Sequence, residues 1–160
     1  MTVKNTLKRR DFQTILNLAR EGKVSQDRQL LFYKKAPASM HQALLNFCAP
    51  SQEIEKFLIE KGTPETLHLL SVRYGFYPSV LEWMMRECDN ETVTKVVNCL
   101  HDKPSSVKVE HLMVRRCNKE LLKLWLSKFY VLEDSTEKLL NEELDLSSML
   151  SYYIELQECY

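Results

Sequence analysis

The chain has 160 residues with 22 Lys+Arg and 22 Asp+Glu, 44% apolar residues, 3 Gly, 5 Pro and 5 Cys. That is long enough for one domain with a core, and the apolar content excludes wholesale disorder. No apolar run reaches the ~20 residues of a membrane helix, so no membrane span is expected. The stretch MTVKNTLKRRDF has basic residues but no apolar segment of a secretory signal. The cysteines Cys48, Cys88, Cys99, Cys117 and Cys159 are odd in number and widely spaced, as expected for reduced thiols in a cytoplasmic protein.

The predicted elements are short helices, each marked by a triad of mostly apolar residues at i, i+3 and i+4, with Arg28, Ser71 and Thr136 as the weak members. Residues 11–36 hold Ile15/Leu18/Ala19, then Arg28/Leu31/Phe32. Residues 37–62 hold Met40/Ala43/Leu44, then Ile54/Phe57/Leu58. Residues 63–88 hold Leu67/Leu70/Ser71, then Val80/Trp83/Met84. Residues 89–117 hold Val93/Val96/Val97, then Val109/Leu112/Met113. Residues 118–144 hold Leu121/Leu124/Trp125, then Thr136/Leu139/Leu140, and residues 145–160 close with Leu146/Met149/Leu150. Successive triads of the first kind start 25 to 28 residues apart, and those of the second kind 26 to 29 apart.

Two interleaved series with one period predict an all-α chain built from a repeated unit. The expected fold is an α-solenoid of about five antiparallel helix pairs plus a final helix, forming one domain over residues 1–160. Thr63, Asp89 and Asn118 share one place in the repeat and suit N-caps. Pro64 then falls at the first helical position, and Gly62 suits a left-handed end to the helix before it. Pro104 and the serines after it mark a loop. Phe57, Trp83 and Leu112 share a place on the second helices and are expected to be buried.

The stretch KGTPETLHLLSVRYGFYPSVLEWMMRE (61–87) resembles an ankyrin repeat. Thr63, Pro64, Leu67 and His68 match the family's T-P-L-H signature with Glu65 and Thr66 inserted, and Gly75 matches its inter-helix turn. MHQALLNFCAPSQEIEKFLIEKG (40–62) and LNLAREGKVSQDRQLLF (16–32) look like further copies. Ankyrin repeats run to about 33 residues, whereas these run near 26, and the stretch missing is the one that carries the family's β-hairpin finger. A short-repeat solenoid of the HEAT type is the other form this pattern allows.

The resemblance implies a non-enzymatic protein–protein interaction module, an adaptor or effector-like scaffold. It binds its partner on the concave face of its inner helices. Residues just before the inter-helix glycine are the family's partner-contacting positions. Here they are Arg20 and Glu21 before Gly22 and Arg73 and Tyr74 before Gly75, and the aligned stretch of the second copy offers Asn46 and Phe47 without a glycine. No catalytic residue, cofactor or metal is expected.

Residues 1–36 hold 9 Lys+Arg and 3 Asp+Glu, while residues 130–160 hold 1 and 8. This asymmetry favours an acidic or phosphorylated partner, and either a monomer or weak head-to-tail self-association. The alternative is a nucleic-acid-binding helical repeat. It would use Lys8, Arg9, Arg10, Arg20, Lys23, Arg28, Lys34 and Lys35 on phosphates, with Phe32 and Tyr33 stacking on bases. Cys99, His101, His111 and Cys117 do not fit the spacing of a common zinc finger, and buried thiols are the expected role for such cysteines.

Overall fold

The computed structural model describes residues 9–159, and the side chains of residues 11–159. Those residues form eleven α-helices and no strand, so the chain is all-α as expected. They belong to two compact units, Met1–Tyr74 and Gly75–Tyr160.

The N-terminal unit contains α1 (Arg9–Arg20), α2 (Gln26–Lys35), α3 (Ala38–Leu45), α4 (Gln52–Lys61) and α5 (Pro64–Arg73). Local chemistry sets their starts. Ser25, Ser51 and Thr63 each accept a hydrogen bond from the backbone amide three residues on, closing an otherwise free first-turn donor. Pro64 opens α5, where its missing N–H costs nothing. Helix α3 lies against α1, α2 and α5, and α4 against α2 and α5. The core runs from Phe12, Leu16 and Ala19 through Phe32, Leu44, Leu45, Ile54 and Leu58 to Leu67 and Leu70. Its aromatic members meet edge to face, Phe12 on Phe32 at 5.6 Å and Tyr33 on His41 at 5.2 Å.

The C-terminal unit contains α6 (Pro78–Glu87), α7 (Asn90–Cys99), α8 (Val107–Arg115), α9 (Lys119–Phe129), α10 (Asp134–Glu142) and α11 (Ser147–Glu158), with a 3-10 turn at Leu144–Leu146. Asp89 and Asn118 cap α7 and α9 as expected. The Thr92 amide that Asp89 accepts holds its carboxyl below the usual range. Leu100–Ser106 is the expected loop. Helix α8 lies against α6, α9 and α10, and α9 against α7, α8 and α11. Val80, Met84, Val93, Val96, Val97, Val109, Met113, Leu121, Trp125 and Met149 are fully buried.

Two expectations are corrected. Phe57, Trp83 and Leu112 are half-buried, not buried. On these helices the covered positions are i, i+1, i+4 and i+5. They are Ile54, Glu55, Leu58 and Ile59 on α4, Val80, Leu81, Met84 and Met85 on α6, and Val109, Glu110, Met113 and Val114 on α8. A helix held by several neighbours, as α8 is, buries a broad arc rather than a narrow seam, and the i+3 residue falls at its edge. Gly62 is not left-handed: its φ is −76°. It is needed for space, because a Cβ there would stand 2.5 Å from the Leu58 carbonyl oxygen. Gly22 and Gly75 do take the left-handed turn, at φ 69° and 72°.

Candidate functional site

Five of the six residues picked out before the turns come together in the N-terminal unit. They sit at the C-terminal ends of α1, α3 and α5. Helix α5 ends in Arg73, with Tyr74 capping it, and α3 ends at Leu45, with Asn46 as its cap. The last carbonyls of a helix have no partner within it. Here α5 supplies partners for α3: the Arg73 Nη2 donates to the Asn46 oxygen at 2.9 Å, and the Tyr74 hydroxyl donates to the Leu45 oxygen at 2.5 Å. Arg73 Nε also donates to the Tyr74 hydroxyl at 3.2 Å, and its guanidinium lies 5.7 Å from the Tyr74 ring centre. A cation at a helix C-terminus is further favoured by the helix dipole.

The next link uses aromatic chemistry. Arg20, the last residue of α1, places its guanidinium 5.2 Å from the ring centre of Phe47. Arg20, Asn46, Phe47, Arg73 and Tyr74 are all exposed, Phe47 and Tyr74 each at 38%. The result is a strip of two guanidinium groups and two aromatic rings open to solvent, with Arg73 and Tyr74 held by backbone carbonyls and Arg20 stacked on Phe47. Glu21 stands apart from it, paired with Lys23 at 3.0 Å. Beneath the strip, burial pushes the Tyr33 hydroxyl far up in pKa, with smaller contributions from Cys48 and Tyr74. Burial also raises the Cys48 thiol, which does not favour a reactive thiolate.

The alternative nucleic-acid surface loses its stacking groups. Phe32 and Tyr33 are 0% and 2% exposed, because α2 turns them into the core beside Phe12 and His41. Arg20, Lys23, Arg28, Lys34 and Lys35 are exposed; Lys8 and the side chains of Arg9 and Arg10 lie outside the described residues. Cys99 is buried at the end of α7, His101 is exposed in the loop after it, His111 Nε2 lies 3.0 Å from the Ser135 hydroxyl, and Cys117 is exposed. Among the described residues, no group of three or more His, Cys, Asp or Glu is arranged to hold a metal ion.

The C-terminal unit uses the same device at other helix ends. Arg116 Nη1 donates to the Met85 oxygen at 2.6 Å, and its Nη2 donates to Cys88 O at 2.8 Å and to Asn90 Oδ1 at 2.7 Å. Lys128 donates to Asn98 O at 2.7 Å. Sequence reasoning missed the centre of this unit, Glu110, which is 1% exposed. Its carboxylate accepts from Trp125 Nε1 at 3.0 Å, from the Glu133 amide at 2.7 Å and from the Thr136 hydroxyl at 2.5 Å. Lys103, from the loop before α8, pairs with it at 3.0 Å and with Glu133 at 3.1 Å. The available signal was its place in the series: Glu55 follows Ile54 as Glu110 follows Val109, two steps apart with Leu81 between, and it is also 1% exposed.

Comparison with protein-family models, with curated proteins and with solved structures returns no match.

Proposed function

We propose that this chain is a non-enzymatic protein-binding module, an ankyrin-like α-solenoid without fingers, working in the cytoplasm. Its partner lies on the strip formed by Arg20, Asn46, Phe47, Arg73 and Tyr74. The observation that carries the reading is the strip itself: exposed Arg and aromatic side chains, held by cation–π and backbone contacts. Arg and Tyr are enriched among residues that dominate binding energy, and holding them beforehand lowers the ordering cost of association.

Two features support the solenoid. Helices lie against their second neighbours, α1 on α3 and α3 on α5, then α7 on α9 and α9 on α11. Side-chain bonds between second-neighbour helices join residues about one repeat apart, such as Arg73 to Asn46 at the ends of α5 and α3 and Thr136 to Glu110 between α10 and α8. The N-terminal unit holds 12 Lys+Arg against 7 Asp+Glu. That balance, with two guanidinium groups on the strip, favours an acidic or phosphorylated segment.

The test is affinity capture from nuclease-treated lysate with the parent chain, Arg20→Glu and Phe47→Ser. Neither residue closes a backbone carbonyl, so both variants should keep their fold. The expected result is a partner retained by the parent and lost from both variants. A partner that both variants retain, or one that nuclease removes, contradicts the reading.

A further inference from the structure

The C-terminal unit carries a groove of about 510 Å3 between the last turns of α9 and α11. Leu126, Ser127, Tyr130, Tyr153, Leu156 and Gln157 line it. The volume lies within the ~300–1,000 Å3 usual for ligand pockets. Tyr130 stands at its mouth with φ 69° and 82% exposure, beside Val131 at 65%. A bulky residue in the left-handed region is an outlier, and glycine would end the helix there without strain. Such strain concentrates where a side chain is held for use. Tyr130 is also the first residue after its helix, as Tyr74 is after α5.

Tyr153 and Gln157 form a hydrogen-bonded polar cluster in the groove. The Tyr153 hydroxyl donates to Glu137 Oε1 at 2.5 Å and accepts from Gln157 Nε2 at 2.6 Å. Burial, and then the Glu137 carboxylate, push that hydroxyl up in pKa, so it stays a donor. Helix α9 brings three bases: Lys119, engaged over the Tyr152 ring at 5.6 Å, Lys123, one turn before Leu126, and Lys128, which donates to Asn98 O at 2.7 Å. Past α9 the balance is one-sided: residues 130–160 hold 8 Asp+Glu and only Lys138 as a base.

We propose that this groove seats an apolar anchor, a Phe or Leu side chain, of a short basic segment on a partner protein. The apolar lining takes the anchor. The carboxylates of the segment that builds α10 and α11 attract the flanking Lys or Arg, while an acidic segment would meet like charge. The site is separate from the strip of the N-terminal unit, so either can fail without the other.

The test uses fluorescence anisotropy on the full chain with three labelled peptides of ~15 residues, alike in Phe and Leu pattern and carrying Lys, Gln or Glu between them. The Lys peptide should bind at least about tenfold tighter than the Glu peptide, and should weaken as salt rises. Tyr130→Gly removes the ring and relieves the strain; Leu156→Arg puts a cation in the groove. Each should weaken the Lys peptide about tenfold or more, with the melting temperature of Tyr130→Gly equal to or above the parent's. Equal binding of the three peptides, no binding of any, or Lys-peptide affinity unchanged in both variants would overturn the proposal. So would a dimer in sedimentation that both variants dissolve while the parent ignores all three peptides, which would make a second copy the occupant.

Discussion

Glu110 is a buried carboxylate whose partners come from α9, α10 and the loop before α8. Removing it leaves the Trp125 N–H, the Thr136 hydroxyl and the Glu133 amide without their acceptor. Glu110→Ala should therefore cost about 3–5 kcal/mol, the range found when one partner of a buried charged pair is lost. Glu110→Gln, which keeps one acceptor oxygen, should cost less. Urea unfolding of both variants checks this, and a parent-like Glu110→Ala would show that the carboxylate holds nothing together. His41 makes a different prediction at the same scale. Burial lowers its pKa, against the opposing effect of the Ala36 and Tyr33 carbonyls. The unfolded chain then takes up a proton near pH 6.5 while the folded chain does not. Stability should fall as pH drops below about 6.5 and level off below the folded value. Chemical unfolding across pH 7.5 to 5 should show that fall, and His41→Gln should flatten it.

At the scale of elements, covered helix faces can be tested against half-covered ones. Leu58→Ala, Met84→Ala and Met113→Ala should each cost about 2–5 kcal/mol, and Leu112→Ala clearly less than Met113→Ala. Equal costs at 112 and 113 would restore the register expected from the triads. The glycines separate space from conformation. Gly75→Asn should be mild, because asparagine tolerates the left-handed region, whereas Gly62→Asn should cost as much as Gly62→Ala, about 1–3 kcal/mol. The melting temperatures of these three variants decide it. The helix starts were legible because a cap is local: Thr63, Asp89 and Asn118 each need only an amide three residues away. The face of α4, α6 and α8 was not. Which residues are covered depends on neighbours distant in sequence, and Glu55 and Glu110 break the apolar pattern at places that are buried.

At the scale of the molecule, charge is divided between the two compact units. The N-terminal unit has 12 Lys+Arg and 7 Asp+Glu, and the C-terminal unit has 10 and 15. Opposite balances predict self-association at low ionic strength that disappears toward 0.15 M salt, where screening acts within ~8 Å. Sedimentation velocity at two salt concentrations reads this directly. The candidate strip was legible in part. The positions before the inter-helix turns led to Arg20, Phe47, Arg73 and Tyr74, and these do meet. That Arg73 and Tyr74 also close the end of α3 was not legible, since the two bonds span 27 and 29 residues.

That double role decides how the central claim should be measured, because truncating Arg73 or Tyr74 would disturb fold and surface together. A photo-crosslinking residue in place of Phe47 probes the surface while leaving those carbonyl bonds intact, and one in place of Glu60, exposed on α4, serves as the control. If the strip is the binding face, the probe at 47 labels one protein partner, the probe at 60 does not, and adding Arg20→Glu abolishes the labelling. Labelling of that partner from 60 as strongly as from 47, or labelling from 47 that survives Arg20→Glu, would contradict the account.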